Sequence, residues 1–381
     1  MSEVFLLDVG SGKLVFAVGS KSDAGVYNVR NIASCEYDGY YKGGFLNPEA
    51  LEESVRQTIA ESGYRGRIPK LYVGVPTDFI KVRNNQVKNA YRSSRTITND
   101  TLDELYARGN IFDGDPDFVA INCSARGFVL DNKFRCVNPI YEQASYIDAD
   151  LTYILCDRKF CETTERVAEA IGVKKVSYVS SFWATCVQLL PAEVRESGAA
   201  VCDIGFSNTS FGVVVGDGLE TAVSKSIGGA NIAGDLYQVL DIPYASACTL
   251  VEKANLYQET DNGSCYNVLV DGRPEQFNSF GVNKIIQARL DDFVRFISDS
   301  LAQNGNFSPD VVYLTGGGIA GLKGALAYVS RQLGKRLEII APDVPTYGKS
   351  YYSSVFGTFD VADKLEKSKN VLKRFFDRFR R

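Results

Sequence analysis

Two copies of one short signature, far apart in the chain, constrain what it can fold into. Asp8-Val9-Gly10-Ser11-Gly12-Lys13 stands between the apolar runs Val4 to Leu7 and Leu14 to Val18. Asp203-Ile204-Gly205-Phe206-Ser207-Asn208-Thr209 stands in the same way between Ala199 to Cys202 and Phe211 to Val215. Each reads as a strand, a tight turn and a returning strand. Glycine lets such a turn bring backbone N–H groups up to an anion, and the Asp can hold a hydrated divalent cation. Two hairpins of this kind facing each other would clamp a triphosphate. A third run, Leu314-Thr315-Gly316-Gly317-Gly318-Ile319, closes the apolar stretch Val311 to Leu314 and opens a helix read over Leu322 to Leu333. That is how a glycine loop comes to lie against a nucleotide. One such hairpin alone is an ordinary turn, and one glycine run alone a flexible connection. The three in this order, each at a strand end, are specific.

The trio resembles the phosphate 1, phosphate 2 and adenosine motifs of the actin-like ATPase superfamily. The resemblance implies an α/β fold of two duplicated actin-like domains around a nucleotide cleft, with ATP and Mg2+ as ligands. In the first hairpin Asp8 would hold the magnesium shell through water, Gly10 and Ser11 would offer donors, and Lys13 would neutralise phosphate charge. In the second, Asp203, Gly205, Asn208 and Thr209 take the same roles, Asp203 again on the metal side. Phe206 departs from the family pattern, which has glycine there. Gly316, Gly317 and Gly318 would hold the adenosine, with Glu252, Lys253 and Arg289 on the purine and ribose side. A salt-bridged surface helix explains Glu252 and Lys253 as well, and a solvated helical arginine explains Arg289. The segment before the second hairpin, Val179 to Thr185, offers hydroxyls and no carboxylate. Hydroxyls orient water but are poor bases, so turnover is expected to be slow and the catalytic residue stays unassigned.

Strands at Val4 to Leu7, Leu14 to Val18 and Val26 to Ala33, a helix from Pro48 to about Ser62 capped by Asn47, and a strand at Lys70 to Val75 form a β-β-β-α-β order that recurs after Ala199. Between the halves lies an insertion with a helix after Thr98, strands around Phe118 to Ser124 and Leu151 to Leu155, and a helix from Phe160 to Ile171, an α+β unit with its own sheet. Its stretches Phe128-Val129-Leu130-Asp131, Val137-Asn138-Pro139-Ile140 and Ala149-Asp150-Leu151-Thr152-Tyr153-Ile154 resemble the inserted subdomain 1C of the FtsA family of bacterial division proteins. Ser226 to Ile232 and a helix over Val282 to Leu301 extend the resemblance along the chain. The expected domains are 1–75 and 176–198 for the first actin-like half, 76–175 for the insertion, 199–362 for the second half, and 363–381 for a short linker and a terminal helix.

Composition limits the chemistry. The chain has 381 residues, 45% hydrophobic and 23% charged, which is globular and enough for two or three domains. It contains no histidine, so imidazole bases, Ser-His-Asp triads and imidazole metal ligands are excluded. Nine cysteines without a C-x-x-C pair, and no leader at Met1, fit a reduced cytoplasmic chain whose thiols serve as small apolar residues. No run approaches the ~20 apolar residues of a membrane-spanning helix.

The charge is uneven. From Lys367 to Arg381 seven Lys or Arg face one Asp, leaving 35 basic and 45 acidic residues in the rest. Leu372, Phe375, Phe376 and Phe379 fall at helical spacing among Lys373, Arg374, Arg378, Arg380 and Arg381, the pattern of a helix lying on an anionic membrane. That reading is favoured over a core-docked terminal helix or a nucleic-acid-binding tail. By family resemblance the chain would bind no nucleic acid, form filaments with itself at the inner face of the cell membrane, tether the C-terminal tail of the tubulin-like FtsZ, and recruit other division proteins. Alternatives are a PilM-like pilus-assembly protein, an actin-fold small-molecule kinase, and a DnaK-type chaperone. No catalytic carboxylate beside a substrate pocket stands out for the kinase, and about 65 residues after Thr315 leave no room for the chaperone's peptide-binding domain.

Overall fold

The computed structural model describes residues 3–258, 263–305 and 307–367. It divides into unit 1 (Met1–Ala199, Gly212–Ala222, Pro342–Arg381) and unit 2 (Ala200–Phe211, Val223–Ala341).

Unit 1 opens with β1 (Val4–Val9), β2 (Lys13–Lys21) and β3 (Tyr27–Glu36), followed by the two-residue pair β4 (Tyr40–Tyr41) and β5 (Gly44–Phe45), α1 (Leu51–Glu61) and β6 (Leu71–Val75). Every residue of β1 and β6 is buried, as a strand covered on both faces requires, which is why both read as unbroken apolar runs. Asn47 lies ahead of the helix it was expected to cap. Residues 48–50 form a turn, and Asn47 accepts from the Ala50 N–H at 3.2 Å, so α1 begins three residues later than the sequence suggests.

Between β6 and β11 (Val176–Ser180) comes the insertion: β7 (Ile80–Thr96), α2 (Asn99–Gly109), β8 (Phe118–Leu130), β9 (Phe134–Cys136) and β10 (Gln143–Asp157). Its strands pair antiparallel in the order β7-β10-β8-β9, over a core that includes Val87, Leu105, Phe128, Ile147 and Tyr153. Thr98 caps α2 through a capping box with Thr101. After β10, α3 (Arg158–Ala170) returns to the first sheet, its Phe160 packed on Phe45 and Phe79 at ring distances of 5.5 and 4.6 Å. The inserted sheet thus ends at Asp157, and residues up to 175 belong with the layer around α1. Then α4 (Ser181–Leu189) and α5 (Ala192–Glu196) lead out.

The second half carries β12 (Ala199–Ile204), β13 (Thr209–Val215), β14 (Gly218–Lys225), α6 (Gly229–Leu240), α7 (Tyr244–Lys253), the hairpin β15 (Cys265–Val270) and β16 (Arg273–Asn278), α8 (Ser279–Ala302), β17 (Val311–Thr315), α9 (Ala325–Leu333) and β18 (Arg336–Ile339). The first sheet runs β11-β6-β1-β2-β3 and the second β18-β17-β12-β13-β14. In each, a three-strand meander gains two strands on the far side of its first member, parallel to it. Parallel neighbours need helical crossovers, and α1, α3, α8 and α9 supply them. The duplication expected from the motifs is therefore present in the topology.

The last described element is α10 (Ser353–Lys367), which lies in unit 1. Gly357 lets it approach α4: a Cβ there would stand 2.8 Å from the Thr185 amide nitrogen. Further along, Asp360 accepts from Lys21 at 2.9 Å and Tyr27 at 2.6 Å, and Glu366 from Lys70 at 3.0 Å and Tyr72 at 2.6 Å. Residues 363–367, read as a linker, are the last turn of this strapped helix. The expected membrane helix falls at 368–381, outside the described residues.

In α2 the buried Oδ2 of Asp103 has no hydrogen-bond partner among the described residues, and burial together with Asp100 pushes its pKa up to about 6. The folded state therefore holds this proton more tightly than an unfolded chain, whose Asp titrates near about 3.9. Stability falls as pH rises through that window and stays lower above it. Asp103→Asn should raise the urea midpoint above about pH 6 and leave it unchanged below about pH 4.

Candidate functional site

In unit 1 the expected residues gather on the β1–β2 turn. The Gly10 N–H donates to the Lys13 carbonyl at 3.0 Å, closing the hairpin, and the Tyr37 hydroxyl donates to the Gly10 carbonyl at 2.8 Å. Gly39, at φ +79°, passes so near Ser11 that a Cβ would meet its carbonyl oxygen at 2.2 Å. Asp8 is buried. Its Oδ1 accepts from the Ser181 hydroxyl at 3.0 Å and its Oδ2 from the Ser354 hydroxyl at 2.7 Å. Burial raises its pKa, while the hydroxyls of Ser354 and Ser181 and the Lys13 ammonium pull the other way. Each carboxylate oxygen accepts more than one bond, so Asp8 retains lone pairs for a cation's water shell. The Lys13 ammonium lies 5.0 Å from the centre of the Tyr351 ring.

The hydroxyls expected to orient water are engaged within the protein. Ser180 Oγ accepts from the Trp183 N–H at 3.3 Å, Ser181 bonds Asp8, and Thr185 Oγ1 donates to the Ser181 carbonyl at 2.8 Å. Ser354, Tyr351 and Lys349 escaped the sequence reading. Nothing in a Ser-Ser pair at a helix start distinguishes a partner for a distant aspartate from a cap.

In unit 2 three glycine-bearing loops meet backbone to backbone. The Gly205 N–H donates to the Asn208 carbonyl at 2.8 Å, closing the second hairpin. The first amides of α6 turn onto that hairpin, Gly229 N–H to the Gly205 carbonyl at 3.0 Å and Ala230 N–H to the Phe206 carbonyl at 2.8 Å. The Gly318 N–H donates to the Ile204 carbonyl at 2.7 Å. A Cβ on Gly316 would stand 2.3 Å from Asp203 Oδ1, and one on Gly228 2.4 Å from the Phe206 carbonyl oxygen. Thr209 Oγ1 donates to the Ile227 carbonyl at 2.7 Å, fixing the far side of the turn. Asn208 is 7% exposed, and its buried amide nitrogen has no hydrogen-bond partner among the described residues. A buried donor in that state suits an anion. The Phe206 side chain points outward, 57% exposed.

The purine-side candidates stand apart from these loops in their bonding. Arg289 holds Asp235 through two nitrogens at 2.7 Å each and Asp292 at 2.8 Å. Glu252 and Lys253 are exposed at the end of α7, where Lys253 donates to the Asn267 carbonyl. Gly317 shares the loop of Gly316 and Gly318. Among the described residues, no group of three or more Cys, Asp and Glu side chains is placed to hold a metal ion. A hydrated Mg2+ held by one or two carboxylates and by phosphate needs no such group.

The repeated sheet and its paired hairpins define an actin-like protein, and the comparisons agree. No family model matches the chain. Among solved structures, that of the "PilM-PilN type IV pilus biogenesis complex" aligns at a TM-score of 0.65 and 14% identity, over 95% of this chain and 99% of that one. MreB5 of Spiroplasma citri bound to AMPPNP aligns at 0.53 and 10% identity over 96% and 98%, and the MamK double helical filament at 0.51 and 11% over 95% and 98%. Among curated proteins, cell division protein FtsA of Pseudomonas aeruginosa is 21% identical over 82% of this chain and 76% of its own length. FtsA of Escherichia coli is 20% identical over 92% and 88%. The similarity to FtsA extends along most of the chain, and the fold is actin-like.

An unpaired buried amide costs about 1–3 kcal/mol. Asn208→Leu should therefore raise the denaturant midpoint of the ligand-free protein, measured by urea titration.

Proposed function

We propose that the chain is an ATP-binding, filament-forming protein of the division apparatus, held at the inner face of the cell membrane and tethering FtsZ and its partners there. The observation that carries the nucleotide part is the pair of hairpins at the same position in two like sheets, one of them with the buried, unpaired Asn208 amide. Phosphate binding is assigned to Asp8, Gly10, Ser11 and Lys13 of the first hairpin and to Asp203, Gly205, Asn208 and Thr209 of the second. Asp8 and Asp203 would each serve Mg2+ through water, and the ion would screen phosphate charge. Gly316 to Gly318 receive the adenosine, with Glu252, Lys253 and Arg289 at its edge. MreB5 bound to AMPPNP supports the ligand class by its fold. The FtsA relatives support the division role, and the MamK filament, by its fold, the self-association.

Hydrolysis is slow in this reading, because the segment before the second hairpin offers hydroxyls, which orient water, and no carboxylate base. Among the described residues no helix is long and apolar enough to cross a membrane. Attachment is assigned to Leu372, Lys373, Arg374, Phe375, Phe376, Arg378, Phe379, Arg380 and Arg381.

Calorimetry tests the first half: wild type binds Mg-ATP, and Asp203→Ala, which removes a charged acceptor, binds it about tenfold more weakly. The absence of any heat at millimolar ATP from a folded wild type would remove the nucleotide from this account. A fluorescent fusion tests the second half. Each buried Phe contributes about 1.5–3 kcal/mol and each nearby cation about 1 kcal/mol against anionic lipid. Phe375→Glu with Phe379→Glu should therefore turn a membrane-bound midcell ring into diffuse signal. Polar foci of the wild type would point to pilus assembly instead.

A further inference from the structure

The turn that precedes α10 brings a second lysine to the Asp8 hairpin. Residues 350–352 form one turn of 3-10 helix, and two residues further on Ser354 hydrogen-bonds Asp8 at 2.7 Å, which fixes this segment against the hairpin although the two are separated by most of the chain. Tyr351, 37% exposed, lies between them. The Lys13 ammonium is 5.0 Å from its ring centre and the Lys349 ammonium 5.8 Å. Among the described residues neither lysine forms an ion pair with a carboxylate. Two like charges gathered on one ring repel each other, and the weak attraction of an exposed ring for a cation offsets this only in part. An anion beside both ammonium groups relieves the repulsion and gains from each.

We propose that Lys349 is a phosphate-binding residue, acting with Lys13 on the polyphosphate of the nucleotide; this rests on the nucleotide reading above. Tyr351 is a positioning residue: it parks both ammonium groups beside the hairpin before the ligand arrives. The assignment explains why the segment is fastened to Asp8, since a flexible lysine finds its ligand better from a rigid base.

The test is calorimetry of ATP and ADP with the full chain, its Lys349→Gln and Lys349→Arg variants, and Lys284→Gln. Lys284 is another lysine lying over a ring, that of Phe280, at 5.2 Å. Loss of one charge-assisted contact should weaken ATP about tenfold in Lys349→Gln. The loss should be smaller for ADP, and the decline of affinity with salt should become shallower. Lys349→Arg should recover most of the affinity, and Lys284→Gln should match wild type. Lys349 is exposed, so urea midpoints of all variants should coincide. ATP affinity unchanged in Lys349→Gln, or lowered equally in Lys284→Gln, overturns the assignment and leaves the nucleotide reading standing. A folded wild type that binds no ATP overturns both.

Discussion

Unit 1 is organised on one buried carboxylate. Asp8 stands next to the last residue of β1, the central strand of its sheet, and a carboxylate out of water is costly unless its oxygens are satisfied. Two hydroxyls satisfy them, Ser181 from the start of α4 and Ser354 from the start of α10. Three segments distant in sequence are thereby joined at one side chain. The geometry leaves no latitude next door: Gly74 pairs with Asp8 across the sheet, and a Cβ there would stand 2.5 Å from Asp8 Oδ1 and 2.6 Å from the Ser181 hydroxyl oxygen. The charge cost is only partly met, since burial still raises the pKa of Asp8. A group held in that condition gains from any cation, bare or hydrated, that comes within reach.

The corresponding position of the second sheet is supported differently. Asp203 pairs across its sheet with Thr315, and Gly316 follows at φ +87°, a conformation glycine reaches without strain. From there glycines replace side chains altogether. Gly318 abuts the Gly205 carbonyl and Gly229 abuts Gly318, with Cβ positions 2.4 and 2.3 Å from carbonyl oxygens. No side chain fits between these loops, so their amides and carbonyls bond one another directly. The helix N-terminus that often receives a phosphate spends its first two amides on the hairpin itself. What it leaves open is the Asn208 amide.

The hairpins, the repeated strand order and the glycine loop were legible because each rests on local chemistry: a turn needs glycine, and a doubly covered strand needs an apolar run. Helix ends were less so. Asn47 and Pro48 carry the signal of a helix start, yet the chain first makes a turn, and the amide that Asn47 caps belongs to Ala50. The return of α10 to unit 1 was not legible. Its apolar residues fit any core, and what fixes it there are pairs such as Asp360 with Lys21 and Glu366 with Lys70, which no local pattern reveals. Arg289 shows the same limit. Its place on α8 could be read, but its commitment to Asp235 and Asp292 depends on α6 arriving beside it.

That difference in legibility has a physical origin in the duplication. Two copies of one β-β-β-α-β plan keep the turn chemistry that positions an aspartate at the end of the first strand, because the backbone geometry of the hairpin demands it in both. The support behind the aspartate is under no such demand. One copy recruits hydroxyls from two helices, the other a run of glycines, and each choice then dictates its surroundings. A hydroxyl on α10 holds that helix to the hairpin and carries Tyr351 and Lys349 with it. A glycine run admits no side chain and makes unit 2 depend on backbone contacts that no residue-level motif describes.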